Sequence, residues 1–112
     1  MTEKYLSELP IAITVSDNDG KIIYMNHKSE SVFEKYGGNE LIGKNLFDYH
    51  NPSSKQKIIE MLSKDIANTY TIEKNGIKKM IFQSPWKENG ETKGMIEFSF
   101  EIPFEMSNFI RN

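Results

Sequence analysis

The chain has no cysteine. That excludes a disulfide, a thiolate metal site and a cysteine nucleophile outright. It also lacks any apolar stretch near the roughly 18 residues of a membrane-spanning helix. Met1-Thr-Glu-Lys-Tyr5 has no signal-peptide apolar core, and a cytoplasmic location is the expectation these absences leave. An excess of one charge is missing too. Lys and Arg number 14 against 16 Asp and Glu, a net charge of −2 that gives no electrostatic basis for binding nucleic acid or an acidic membrane. No G-x-S-x-G, H-E-x-x-H, G-x-x-x-x-G-K-S/T or G-x-G-x-x-G pattern occurs. Nothing gathers the scattered Ser and Asp residues and the two His into a hydrolytic site, so the chain is not expected to be an enzyme. What remains is an ordinary globular composition, 38% hydrophobic and 27% charged over 112 residues, enough for one domain with one core.

The order of elements is legible from turn chemistry and periodicity. Thr2 to Leu9 reads as a short lead helix with Tyr5, Leu6 and Leu9 on one side, and Pro10 marks entry to a strand. In Ile11-Ala-Ile-Thr-Val15 every second residue is branched and apolar, the pattern of one buried face. Asp17-Asn-Asp-Gly20 is a turn, and Ile22-Ile-Tyr-Met25 is the return strand. Asn26 can cap a helix carrying Val32, Phe33 and Tyr36 on one side and stopped by Gly37-Gly38. One or two short helical turns are expected between Asn39 and Asp48. Asn51-Pro52 opens a further helix, with Asn51 as cap or with Ser53 and Gln56 as a capping box. Ile58, Leu62 and Ile66 form its apolar stripe, widened by Ile59 and Met61.

From Asn68 the period becomes two, and Asn75-Gly76 and Asn89-Gly90 are tight hairpin turns. Met80, Phe82 and Trp86 share one face of the middle strand, with Ile81 on the other. The last strand is expected to bury Ile96, Phe98, Phe100 and Ile102 and to turn Glu97, Ser99 and Glu101 to solvent. Two strands, several helices and three hairpin-linked strands make an α+β domain.

The order strand, D-x-D-G, strand, Asn, helix resembles the start of PAS sensor domains. Glu40-Leu-Ile-Gly-Lys-Asn-Leu-Phe47 is similar to the E-L-I-G-K-x-L segment of bacterial members. The tail Glu101-Ile-Pro-Phe-Glu-Met106 resembles that of small bacterial PAS proteins with no attached output domain. The resemblance implies a PAS fold over residues 10–103, a five-stranded antiparallel sheet with helices packed over one face, between a lead helix at 1–9 and a tail at 104–112. It also implies a regulatory role in signal transduction, with output through a partner protein in trans. Flavin adduct photochemistry needs a Cys where Leu46 stands, and a thioester-linked chromophore needs one somewhere, so both are excluded.

Aromatic residues supply the expected ligand pocket: Phe33, Tyr36, Phe47, Tyr70, Phe82 and Trp86, with Tyr49 and His50 as polar handles. Its ligand would be small and apolar or aromatic. Three readings follow. In the first, such a ligand alters packing at the chain ends. In the second, the core is filled and the domain acts by homodimerising or docking through Tyr5, Leu6, Leu9, Phe104 and Met106. In the third, His50 ligates a haem iron, against the plainer reading that it hydrogen-bonds backbone at the helix entry. Asp17 and Asp19 belong to a turn and not to a calcium loop, because Lys21-Ile-Ile-Tyr24 runs straight into a strand. No other metal ligand set is expected.

Overall fold

Asp17 closes the first hairpin, its Oδ1 accepting from the backbone N–H groups of Asp19 and Lys21 at 2.9 Å each. The computed structural model describes residues 2–112. The hairpin joins strand β1 (Ala12–Asp17) to β2 (Ile22–Met25). Two further tight turns, with Asn75 and Asn89 at φ 53° followed by Gly76 and Gly90 at positive φ, link β3 (Asn68–Lys74), β4 (Ile77–Glu88) and β5 (Glu91–Ile102). Asn followed by Gly is favoured there because both positions need left-handed backbone. All pairings are antiparallel, and the sheet order is β2-β1-β5-β4-β3. The α+β architecture expected from the sequence is what the chain forms. No helix among the described residues is long and apolar enough to cross a membrane.

Between β2 and β3 lie α1 (His27–Val32) and α2 (Pro52–Lys64), joined by three short 3-10 turns. Asn26 is buried at 1% exposure and anchors the start of this layer. Its Oδ1 accepts from Ile13 N (2.9 Å) and Ser29 N (3.1 Å), and its Nδ2 donates to Leu6 O (2.8 Å) and Ile11 O (2.7 Å). One side chain therefore caps α1 and ties the leading segment to β1. Asn51 caps α2 by accepting from Ser54 N at 2.8 Å, with Pro52 in the first turn. Ile58 and Met61 are the buried residues of α2, worth about 1.5–3 kcal/mol each in apolar burial.

The two segments that carry the family resemblance meet in space. Asn45 Nδ2 donates to Asp19 O at 2.9 Å, and a bridge pairs Lys21 with Asn45. Gly20 sits at φ +86°, where a Cβ would come within 2.7 Å of the Phe47 ring.

Three expectations are corrected. The lead helix is only a 3-10 turn over Thr2–Tyr5. The apolar stripe of α2 stops before Ile66, because Asp65 turns left-handed at φ 57° and leaves Ile66 54% exposed. The sheet faces are reversed. Met95 joins Ile22, Met25, Leu41, Leu46 and Ile58 in the core, so alternation turns Glu97 toward the helices as well. Ile96, Phe98 and Phe100 face the other way with Phe82, whose ring lies 6.1 Å from that of Phe98, and these residues stay half-buried. The same holds in β1, where Ala12, Thr14 and Ser16 pair with Ser99, Glu97 and Met95. Small residues suit the helix side because α1 packs closely there: the Thr14 and Ser29 hydroxyls are hydrogen-bonded to each other.

Candidate functional site

Between α1, the 3-10 turns and the sheet lies a partly open cavity of about 200 Å³. Its body is apolar: Ile22 and Met25 from β2, Phe33 after α1, Leu41 and Leu46 from the turns, and Met95 from β5. Tyr36 and Tyr49 form its rim, in edge-on contact with ring centroids 5.9 Å apart. The volume is below the roughly 300–1,000 Å³ of sites for drug-sized ligands, and equals the share of about seven liquid waters. A larger groove of about 610 Å³ lies beside it, between α2 and strands β3 to β5. His50 and Glu97 line both spaces and stand at their junction.

Glu97 is held there by register. It pairs with Thr14 on β1 and with Gln83 on β4, and Gln83 Nε2 donates to Glu97 Oε1 at 2.8 Å. Burial pushes the Glu97 carboxyl above its ordinary value, opposed by the Gln83 hydrogen bond and by the nearby His50. Tyr70 is raised as well, first by burial and then by the Glu97 charge. His50 Nδ1 donates to Leu46 O at 2.8 Å, since a carbonyl can only accept, and the Nε2 edge has no hydrogen-bond partner among the described residues.

The sequence pattern described as the PAS fold matches residues 6–74. That is more than half of the 112-residue chain. The chain belongs to the PAS family. Solved structures agree on the fold. A PAS domain from Colwellia psychrerythraea is 23% identical, with TM-score 0.66, over 90% of this chain and 93% of that one. A sensory box sensor histidine kinase structure from Vibrio cholerae is 20% identical, with TM-score 0.65, over 92% and 90%. VqmA, a Vibrio cholerae protein, in a structure bound to DPO, is 14% identical, with TM-score 0.71, over 92% of this chain and 57% of that one. At these identities the likeness establishes the fold alone. No protein of curated function matches by sequence.

Within this PAS domain the eight residues expected to wall a pocket do not converge. Phe33, Tyr36, Tyr49 and His50 line the smaller cavity, and Tyr70 joins His50 in the larger groove. Phe47 packs instead against Gly20 and lines a shallow surface depression with Ile59 and Leu62. Phe82 lies on the outer sheet face against Phe98. Trp86 also lies away from the cavity: its indole crosses Gly94 and donates from Nε1 to Ser16 O at 2.9 Å. Phe82 and Trp86 are therefore removed from the cavity wall, since their strand parity turns them outward.

Sequence reasoning missed Glu97, Gln83 and Met95. A charged residue and an amide fall directly opposite each other once β4 and β5 are paired through the Asn89-Gly90 turn, so the signal was cross-strand and not local. Of the residues expected at a dimer interface, Leu6 is half-buried, while Tyr5 (75%), Leu9 (37%), Phe104 (55%) and Met106 (56%) are exposed.

A haem does not fit the residues present. The smaller cavity is below the size of a drug-sized site, and the larger groove carries Lys57, Glu60 and Lys64 where a macrocycle would need apolar walls.

Proposed function

We propose that this chain is a sensory PAS module that takes up a small molecule in the cavity between the helices and the sheet. Occupancy would be passed to a partner protein or to a second subunit. PAS domains are sensory signalling modules. The observation carrying the reading is a partly open cavity with apolar walls and one polar end, at His50 and Glu97, where a ligand can be both partly desolvated and oriented. VqmA, similar in fold, has a structure bound to DPO, which supports a small-molecule role for such a module. Native mass spectrometry of freshly purified protein, with an absorption spectrum of the same sample, tests it. A retained small mass is expected, without a haem band. A mass equal to that of the bare chain counts against uptake.

A second reading is an interaction module, favoured by the outer sheet face. Val15, Phe82, Ile96, Phe98 and Phe100 form there a half-buried apolar surface on the face opposite Glu97 and Met95. Sedimentation analysis of Phe98→Glu addresses it. A dimeric wild type that becomes monomeric would support this reading, and a monomeric wild type would remove the homodimer from it.

A further inference from the structure

The polar end of the cavity is built around the Glu97 carboxyl. Glu97 Oε1 already takes the Gln83 amide at 2.8 Å, while Oε2 receives no hydrogen bond from the protein among the described residues. The Thr14 hydroxyl beside it is bonded to the Ser29 hydroxyl, and His50 spends its Nδ1 proton on Leu46 O. The carboxyl therefore has one oxygen bonded to the protein and the other open, at the edge of a space a small ring would occupy. A carboxylate oxygen without a protein donor favours a ligand that supplies one, most strongly a cationic one.

We infer that the ligand is a small planar molecule bearing an N–H or O–H donor edge, cationic or protonatable, which meets the open Oε2 of Glu97 while its ring lies among Leu41, Leu46 and Met95. An anionic ring of the same shape is disfavoured, because its charge would face the carboxylate. This inference rests on the cavity being a ligand site, and narrows that site to one class of ligand.

Three planar probes of matched shape separate the possibilities: benzamidine (cation), benzamide (neutral) and benzoate (anion). They are titrated into the full chain and followed by NMR through the Met25 and Met95 methyl groups, which line the cavity, and the Gln83 side-chain amide. Benzamidine is expected to bind roughly tenfold or more tightly than benzamide, as hydrogen bonds to charged groups warrant, with benzoate weakest. In Glu97→Gln, whose neutral amide can keep the Gln83 hydrogen bond, the preference for benzamidine should collapse. Equal binding of all three probes, or tightest binding of benzoate, overturns the ligand class and leaves the cavity as a site. No shift at Met25 or Met95 with any probe overturns the cavity reading and this inference with it. Preference for benzamidine that survives Glu97→Gln overturns the role of Glu97.

Discussion

Replacing Gly94 by Ala tests how the sheet is held beneath the site. Without a side chain at Gly94, the Trp86 indole crosses β5 and donates to Ser16 O on β1, joining β4 to β1 across the strand between them. A Cβ at Gly94 would lie 1.9 Å from Ser16 O, 2.7 Å from Trp86 Nε1 and 2.8 Å from Asp17 Cα. Two of these neighbours are backbone, so relief needs β1 to move off β5 by about 1.5 Å, from 1.9 Å toward an ordinary 3.4 Å contact. Overpacking of this kind costs about 1–3 kcal/mol, and losing the indole hydrogen bond adds about 1 kcal/mol. Together they predict a loss of about 2–4 kcal/mol, seen in urea unfolding by circular dichroism and by Trp86 fluorescence. Gly43→Ala is the comparison, because nothing lies within 4 Å of its Cβ position and only its φ of +94° resists the change. Stability of Gly94→Ala within about 0.5 kcal/mol of wild type, with unchanged Trp86 emission, would refute the reasoning.

Three further outcomes are expected. Asn26→Ala leaves four backbone partners without their side-chain bonds in a buried place and should cost about 2–4 kcal/mol, against about 1 kcal/mol for the exposed cap Asn51→Ala; equal losses in thermal unfolding would contradict this. Burial raises the Glu97 carboxyl above 4.5, so its stability contribution is complete below the unfolded-state value and is lost as pH rises through the folded one. Glu97→Gln should thus match wild type near about pH 4 and gain on it as pH rises toward about 8, and a pH-independent difference in urea midpoints would count against a desolvated carboxyl. Met61→Ala should cost about 2–5 kcal/mol and Ile66→Ala under about 0.5 kcal/mol, since Met61 is 3% exposed and Ile66 54%; the reverse order would place the end of α2 wrongly.

Connectivity was legible in the sequence because short-range chemistry encodes it. Asp17 folding onto Lys21, Asn26 and Asn51 capping helices, and Asn-Gly at positions 75–76 and 89–90 each act within a few residues of themselves. The faces of the sheet were not legible. β5 alternates large apolar residues with Glu97, Ser99 and Glu101, which ordinarily places the apolar set in the core. Here the helix side is where α1 approaches closely and the cavity opens, so Ala12, Thr14, Ser16 and Glu97 occupy it, and the larger side chains face out. That inversion depends on how near the helices sit, a tertiary distance that strand periodicity does not carry. The same inversion moved Phe82 and Trp86 out of the expected pocket and brought Glu97 into it.

The methionines sample each region at issue. Met25 and Met95 line the cavity, Met61 the larger groove, Met80 shares the outer sheet face with Phe82, and Met106 lies in the exposed tail. Methyl-labelled methionine NMR of the purified chain, before and after extraction of any bound small molecule by gentle unfolding and refolding, tests the central claim directly. A ligand-binding PAS module predicts that the Met25 and Met95 signals move on extraction and return when the extract is added back, while Met106 stays still. Signals at Met25 and Met95 that ignore both steps would contradict it, and concentration-dependent shifts confined to Met80 would place the working surface on the outside of the sheet.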